Sequence, residues 1–245
     1  MIKLYGFGAN FGVADPSPFV LKTDLFLRVA GIEFESVAHM SNLGKAPKGK
    51  LPFIEDDGEL IADSFFIRRH LNGKYGIDLD QHLSAEQRAS AYLLSKALDE
   101  DLYWCLVYSR WIREDTWPLS KQAFFGDLPF PLKQIISGVS RRGVRVALNK
   151  QGLGRHSDEE IQQLCSQSID SLALLLGDQT YFFGEQISSL DITAFALLAN
   201  LILTEIDNPF TRIARSHENL LHYCQRIQAQ YYGAATEIPT NEATA

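Results

Sequence analysis

The hydrophobic pattern of the chain changes about a third of the way along. Over residues 1–76, short apolar runs alternate with helical periods. Ile2 to Phe7 reads as a strand, Phe19 to Ala30 carries apolar residues at helical spacing and stops at Gly31, and Phe34 to Ala38 reads as a second strand. Leu51 to Glu55 and Glu59 to Ala62 flank Asp56-Asp57-Gly58, where the Asp-Gly step predicts a hairpin turn. A helix over Ser64 to about Lys74 follows. A βαβ unit, then a hairpin, then a helix is the pattern of a small sheet covered by helices.

From Ser84 onward the pattern is helix after helix. Tyr75 to Leu83, with Gly76 and several polar residues, predicts a linker. Ser84-Ala85-Glu86-Gln87 has the form of a capping box and opens a long helix expected to run to about Glu114. Thr116 to Gly154, with Pro118, Pro129, Pro131 and several glycines, predicts broken helix and loop. Ser157-Asp158-Glu159-Glu160 opens another helix. Ser188-Ser189-Leu190-Asp191 caps a nearly all-apolar one, which belongs at the centre of a bundle. The expected organisation is an α/β domain over residues 1–76, an all-helical domain over 84–232 and a disordered tail over 233–245.

Composition narrows the class. The 245 residues are 46% hydrophobic, enough for a sizeable core, and 23 Lys and Arg against 30 Asp and Glu give a net charge of −7. That balance argues against a nucleic-acid surface. Cys105, Cys165 and Cys224 are widely spaced and odd in number, so a reducing, cytoplasmic compartment is expected. The first residues lack the features of a secretory signal, and the longest apolar run, Ile192 to Leu203, is shorter than the roughly 20 residues a membrane span needs. No membrane span or C-terminal anchor is expected. The six histidines form no metal-ligand cluster, and neither a phosphate-binding P-loop nor a G-x-S-x-G elbow is present.

Four spots carry candidate chemistry. In Ser17-Pro18-Phe19, Ser17 suits a helix N-cap with proline at the first helical position. Its hydroxyl can both accept from a backbone N–H and donate to a thiolate beside the helix N-terminus. Lys48-Gly49-Lys50-Leu51-Pro52-Phe53-Ile54 places two lysines ahead of a proline that opens a strand. Ile61-Ala62-Asp63-Ser64 runs a strand into a helix start, where an anion and an ammonium group can both be met. The fourth is the aromatic set Tyr103, Trp104, Tyr108, Trp111 and Trp117, which reads first as core and second as the wall of an apolar pocket.

In this order the motifs resemble the glutathione S-transferase superfamily, whose architecture is a thioredoxin-like N-terminal domain followed by an all-α helical bundle. The resemblance covers nearly the whole chain. It is closest to the branch that contains the metaxins and the failed-axon-connections proteins, through Ser17-Pro18-Phe19-Val20-Leu21-Lys22, Ala46 to Asp56, Gly152 to Ser157 and Ser189-Leu190-Asp191. It implies that Ser17 hydrogen-bonds the glutathione sulfur and that Leu51, before a cis Pro52, pairs its backbone with the cysteinyl unit. It further implies that Asp63 and Ser64 hold the γ-glutamyl ammonium and carboxylate, and that Lys50 approaches the glycine carboxylate. Lys45, Lys48 and Lys50 form a local basic patch beside that pocket.

Tyr5 competes for the sulfur, because other transferase classes use a tyrosine at the end of the first strand. Its place inside the apolar strand favours packing, and Ser17 is the preferred residue. The implied activity is conjugation of glutathione, as co-substrate and without metal, to a small, partly apolar electrophile by a homodimer. The alternative is a non-catalytic binding or sorting protein of the same fold.

Overall fold

The apolar runs of the first third form one mixed sheet. In the computed structural model, which describes residues 1–233, β1 (Ile2–Gly6) lies between β2 (Phe34–Ala38), to which it is parallel, and β3 (Phe53–Asp56), to which it is antiparallel. β4 (Glu59–Ala62) pairs with β3 across the hairpin turn, giving the order β2-β1-β3-β4. The tail expected over 233–245 falls, apart from Gly233, outside the described residues.

β1 ends one residue earlier than its apolar run because the chain turns at Gly6 to deliver the next two amides to Asp15. β3 starts at Phe53 rather than Leu51, since Pro52 has no amide to give a ladder. The Leu51–Pro52 peptide is cis, as the resemblance implies.

Helix α1 (Pro18–Val29) makes the crossover from β1 to β2. It buries Val20, Leu21, Leu25, Phe26 and Leu27 between the sheet and the helical bundle. After β2 comes the short α2 (Asn42–Lys45), and after β4 comes α3 (Ser64–Tyr75), which ends at Gly76 in the left-handed conformation that favours glycine.

The expected helix from Ser84 to about Glu114 forms as one unbroken helical run, α4 (Ala85–Ala97), a π-helical turn over Leu98–Leu102 and α5 (Tyr103–Trp111), which ends three residues short of the expected end. The Ser84 box forms, with Gln87 N–H donating to Ser84 Oγ at 3.2 Å and Ser84 N–H to Gln87 Oε1 at 3.0 Å. The π turn carries Asp99, whose carboxylate meets Lys22 Nζ of α1 at 2.7 Å in a largely buried ion pair joining the two parts of the chain.

Residues 116–154 are more ordered than the proline and glycine pattern predicts, and that expectation is corrected. They form α6 (Trp117–Phe125) and the 20-residue α7 (Leu132–Gln151). The prolines start helices rather than breaking them, because Pro118 and Pro131 stand where no intrahelical amide bond is required. Interior glycines such as Gly138 and Gly143 cost about 1 kcal/mol each. Tertiary contacts override this: Arg141 donates to the carbonyls of Trp111 and Ile112 at 2.8 and 2.7 Å and pairs with Glu114.

A 3-10 turn over Leu153–Arg155 leads to α8 (Asp158–Leu176), α9 (Ser189–Ile202), α10 (Pro209–Arg215) and α11 (Glu218–Tyr232). Every residue of α9 is buried, so it is the axis of the bundle and the element against which α1 packs.

Candidate active site between the sheet and the bundle

The site is organised by the turn before α1. Asp15, almost fully buried, accepts from Ser17 N–H at 2.8 Å through Oδ1, and from Phe7 and Gly8 N–H at 2.8 and 2.9 Å through Oδ2. One carboxylate therefore ties the loop after β1 to the start of α1. Gly6 permits this close approach, since a Cβ there would lie 2.7 Å from Val20 Cγ1 and 2.8 Å from Asp15 Oδ2. Ser17 is the N-cap of α1; Val20 N–H donates to its Oγ at 3.4 Å, a long bond. The hydroxyl proton is not used by that bond and can be donated to a ligand.

Burial pushes the Asp15 carboxyl up to about 7, against the three backbone N–H groups that draw it down. The folded chain therefore keeps a proton that the unfolded chain has already lost, and stability falls as pH rises from about 4 to about 7 and is flat above. The contribution is as large as roughly 4 kcal/mol. Thermal melts of wild type and Asp15→Asn between pH 4 and 8 check this. The variant is expected to have the flatter profile, and parallel profiles would remove Asp15 as the cause.

Two cavities meet at Ser17. The larger, about 600 Å³, is lined by all six residues singled out from the sequence: Ser17, Lys50, Leu51, Pro52, Asp63 and Ser64. Lys48 joins them, whereas Lys45 of the proposed basic patch does not. Asp63 caps α3, accepting from Phe65 N–H at 2.9 Å, and holds a φ of 83°. That conformation is strained for any residue with a side chain, and such strain is concentrated at functional positions. The facing wall comes from the π turn and α5, through Asp99, Glu100, Tyr103 and Trp104.

The smaller cavity, about 240 Å³, is lined mainly by apolar side chains including Phe7, Leu43, Val107, Trp111 and Phe124. Phe7, Ser17, Leu43 and Tyr103 line both. The aromatic set of α5, weighted towards core in the sequence, thus forms much of the pocket wall. Tyr103 and Trp111 face the smaller cavity, Trp104 faces the larger, and Tyr108 packs on Phe210 with ring centroids 5.9 Å apart. Tyr5 lines neither cavity; its hydroxyl donates to Glu55 at 2.8 Å and its ring stacks on Phe53 at 4.2 Å.

Three residues of the site were not singled out from the sequence. Asp15 had a local signal, an aspartate two residues before a candidate cap, which is the spacing of an Asx turn. Arg110, buried in α5, had only its place in an aromatic helix, and Asn200 only its place as a polar interruption of the most apolar helix. Among the described residues no group of three or more His, Cys, Asp or Glu side chains is arranged to hold a metal, and no helix is long and apolar enough to cross a membrane.

A thioredoxin-like sheet with a cis-proline before β3, a hydroxyl-capped helix facing it and an all-helical second part define the architecture of glutathione transferases. The chain belongs to the glutathione S-transferase family: residues 18–116 match its N-terminal domain and residues 165–227 its C-terminal domain. It is 31% identical over 239 residues to the isoprene-epoxide–glutathione S-transferase of Rhodococcus sp. (strain AD45), covering 94% of this chain and 99% of that protein. It is 33% identical over 217 residues to Failed axon connections of Drosophila melanogaster, covering 82% of this chain and 50% of that protein. To Metaxin-2 of Homo sapiens it is 25% identical over 214 residues, covering 86% of this chain and 81% of that protein. Among solved structures, the glutathione S-transferase CsGST63524 of Ceriporiopsis subvermispora in complex with glutathione shares the fold. The TM-score is 0.61 at 18% identity, over 98% of this chain and 99% of that one.

Proposed function

We propose that the protein is a glutathione transferase that adds the glutathione thiolate to a small, partly apolar electrophile. The observation that carries this reading is the position of Ser17 where a polar cavity lined by Lys50, Asp63 and Ser64 opens into an apolar one. The larger cavity has the charges an anionic, zwitterionic tripeptide needs. Lys50 meets the glycine carboxylate, the Asp63 carboxylate meets the γ-glutamyl ammonium, and the start of α3 at Ser64 receives the γ-glutamyl carboxylate. The Leu51 backbone, beside the larger cavity that Leu51 lines, pairs with the cysteinyl unit.

An ordinary thiol titrates near ~8.5 and is only a few per cent ionised at neutral pH. Ser17 Oγ–H donates to the sulfur, and the N-terminus of α1 adds its dipole, so the thiolate is populated. The thiolate attacks the electrophile held in the apolar cavity. A hydroxyl cannot form a mixed disulfide, so Ser17 supports conjugation rather than thiol–disulfide exchange. The name of the Rhodococcus relative supports an epoxide as the electrophile. The reading includes a homodimer, as the family resemblance implies, and a cytoplasmic location, which the three free, buried cysteines favour.

A binding protein of the same fold without turnover is the second reading. Similarity to Failed axon connections and Metaxin-2, whose names state no transferase activity, favours it. A thermal melt with glutathione, paired with mass spectrometry of a glutathione–epoxide mixture, separates the two. The transferase gives a stabilisation of ~2.7 kcal/mol at ~100 times the dissociation constant, together with adduct formed faster than in buffer. Stabilisation without adduct favours the binding protein, and neither result at millimolar glutathione removes glutathione from the function.

A further inference from the structure

Arg110 is 4% exposed, on α5, and it is the one charged residue lining the smaller cavity among the described residues. Its Nη1 donates to the Pro16 carbonyl at 2.7 Å, and its Nη2 donates to the Asn200 carbonyl and Oδ1 at 2.8 and 2.9 Å. Asn200, itself fully buried, is held by donating to the carbonyls of Ala196 and Asp15 at 3.0 and 3.4 Å. All of the acceptors of Arg110 are neutral, and no carboxylate among the described residues lies within 4.0 Å of it. Three of its five N–H groups are accounted for by these bonds.

An isolated charge in an apolar setting is costly, and buried charges are ordinarily paired. Here the guanidinium is bonded to the residue before Ser17 and lines the same cavity as Ser17. The cation therefore stands beside the place where a thiolate on Ser17 meets its electrophile. Asp15 attracts the guanidinium from beyond 4.0 Å, so its only close partners are neutral, and negative charge that arises on the electrophile in the reaction gives it a direct anionic one.

We propose that Arg110 stabilises an oxyanion formed on the second substrate, so that the smaller cavity selects compact apolar epoxides. This rests on the transferase reading above. In the step, the glutathione sulfur forms a bond to one ring carbon and that carbon–oxygen bond breaks, its electron pair moving to the oxygen. The alkoxide, held against the guanidinium, takes a proton from water, which returns the proton the thiol had given to solvent. Arg110 stays protonated throughout, and the product is a β-hydroxy thioether. Its bond to the Pro16 carbonyl also keeps the Ser17 turn in register with the helical wall.

The test compares two electrophiles of similar size, 1,2-epoxybutane and 1-iodobutane, as the ratio of their kcat/KM values with glutathione. The iodide leaves the carbon that the sulfur attacks and needs no oxyanion. Arg110→Met, which keeps the length of the side chain, is expected to lower the epoxide-to-iodide ratio by on the order of 100-fold, the lower end of the range for loss of an oxyanion donor. Arg110→Lys recovers part of the ratio. A merely structural role lowers both rates together and leaves the ratio unchanged, and that result overturns the proposal. Where Arg110→Met fails to fold, Asn200→Asp decides. It sets a carboxylate 2.9 Å from the guanidinium at the same side-chain size and is expected to lower the ratio at least about tenfold. A wild-type protein that conjugates neither electrophile overturns the transferase reading instead.

Discussion

Replacing Ser17 by alanine lowers kcat/KM for glutathione conjugation at pH 6.5 by on the order of a hundredfold and moves the pH–rate profile upward. The size follows from the bond removed: a hydrogen bond to a charged group contributes ~1.5 to 3 kcal/mol, equivalent to roughly ten- to 150-fold. The direction follows from what that bond favours. Loss of a donor to the thiolate raises the pKa of the bound thiol, so the penalty is greatest below that pKa and shrinks as solvent pH ionises the thiol unaided. Stability changes little, because the capping bond to Val20 N–H is long at 3.4 Å and losing a cap costs ~1 kcal/mol. Rates from pH 5.5 to 9, with a melting curve for each protein, check the prediction. A loss that is uniform across pH would mean that Ser17 acts on geometry rather than on ionisation, and equal rates would remove it from catalysis.

Asp191→Ala costs ~3 to 5 kcal/mol of stability and lowers the melting temperature by on the order of 10 °C. Asp191 is fully buried at the start of α9 and serves four donors. Ser188 N–H and Ser188 Oγ–H reach Oδ2 at 2.8 and 2.6 Å, while Phe182 N–H and Tyr223 O–H reach Oδ1 at 3.0 and 3.2 Å. Alanine removes the acceptor of three of them, since Tyr223 O–H keeps the backbone carbonyl of residue 191 at 3.1 Å, and each orphaned group costs ~1 to 3 kcal/mol. The loss is a large share of the ~5 to 15 kcal/mol that holds an ordinary domain folded. Asp191→Asn keeps the shape and one acceptor oxygen but turns an amide towards Ser188, so an intermediate loss is expected. Chemical denaturation of the three proteins measures the series. An alanine variant as stable as wild type would show that the capping network is not what fixes α9.

Asp191 and Ser17 also show what kind of information the sequence holds. Both belong to local signals: the S-x-x-D box is complete within four residues, and Ser-Pro-Phe is complete within three. The four strands were legible for the same reason, since the alternation of short apolar runs with an Asp-Gly turn is read within a few residues. Lys50, Leu51, Pro52, Asp63 and Ser64 were legible because each stands at a strand or helix boundary whose chemistry is local, and the resemblance supplied their common purpose. The helix α7 was not legible. Its prolines and glycines point to loop, and the contacts that override them come from Arg141 reaching carbonyls 29 and 30 residues away.

By itself, then, the sequence determined the order of elements, the caps that start the helices and six of the residues that meet in the larger cavity. Only the tertiary structure decided which face of α5 becomes pocket wall, and that Asp15, Arg110 and Asn200 tie the Ser17 turn to the bundle. Arg110 lies 94 residues from the carbonyl of Pro16 and 90 from Asn200. No local pattern encodes such a bond. Arg110 ordinarily belongs on a surface, and its burial next to Ser17 is settled by how α1, α5 and α9 pack, not by any preference of its own segment.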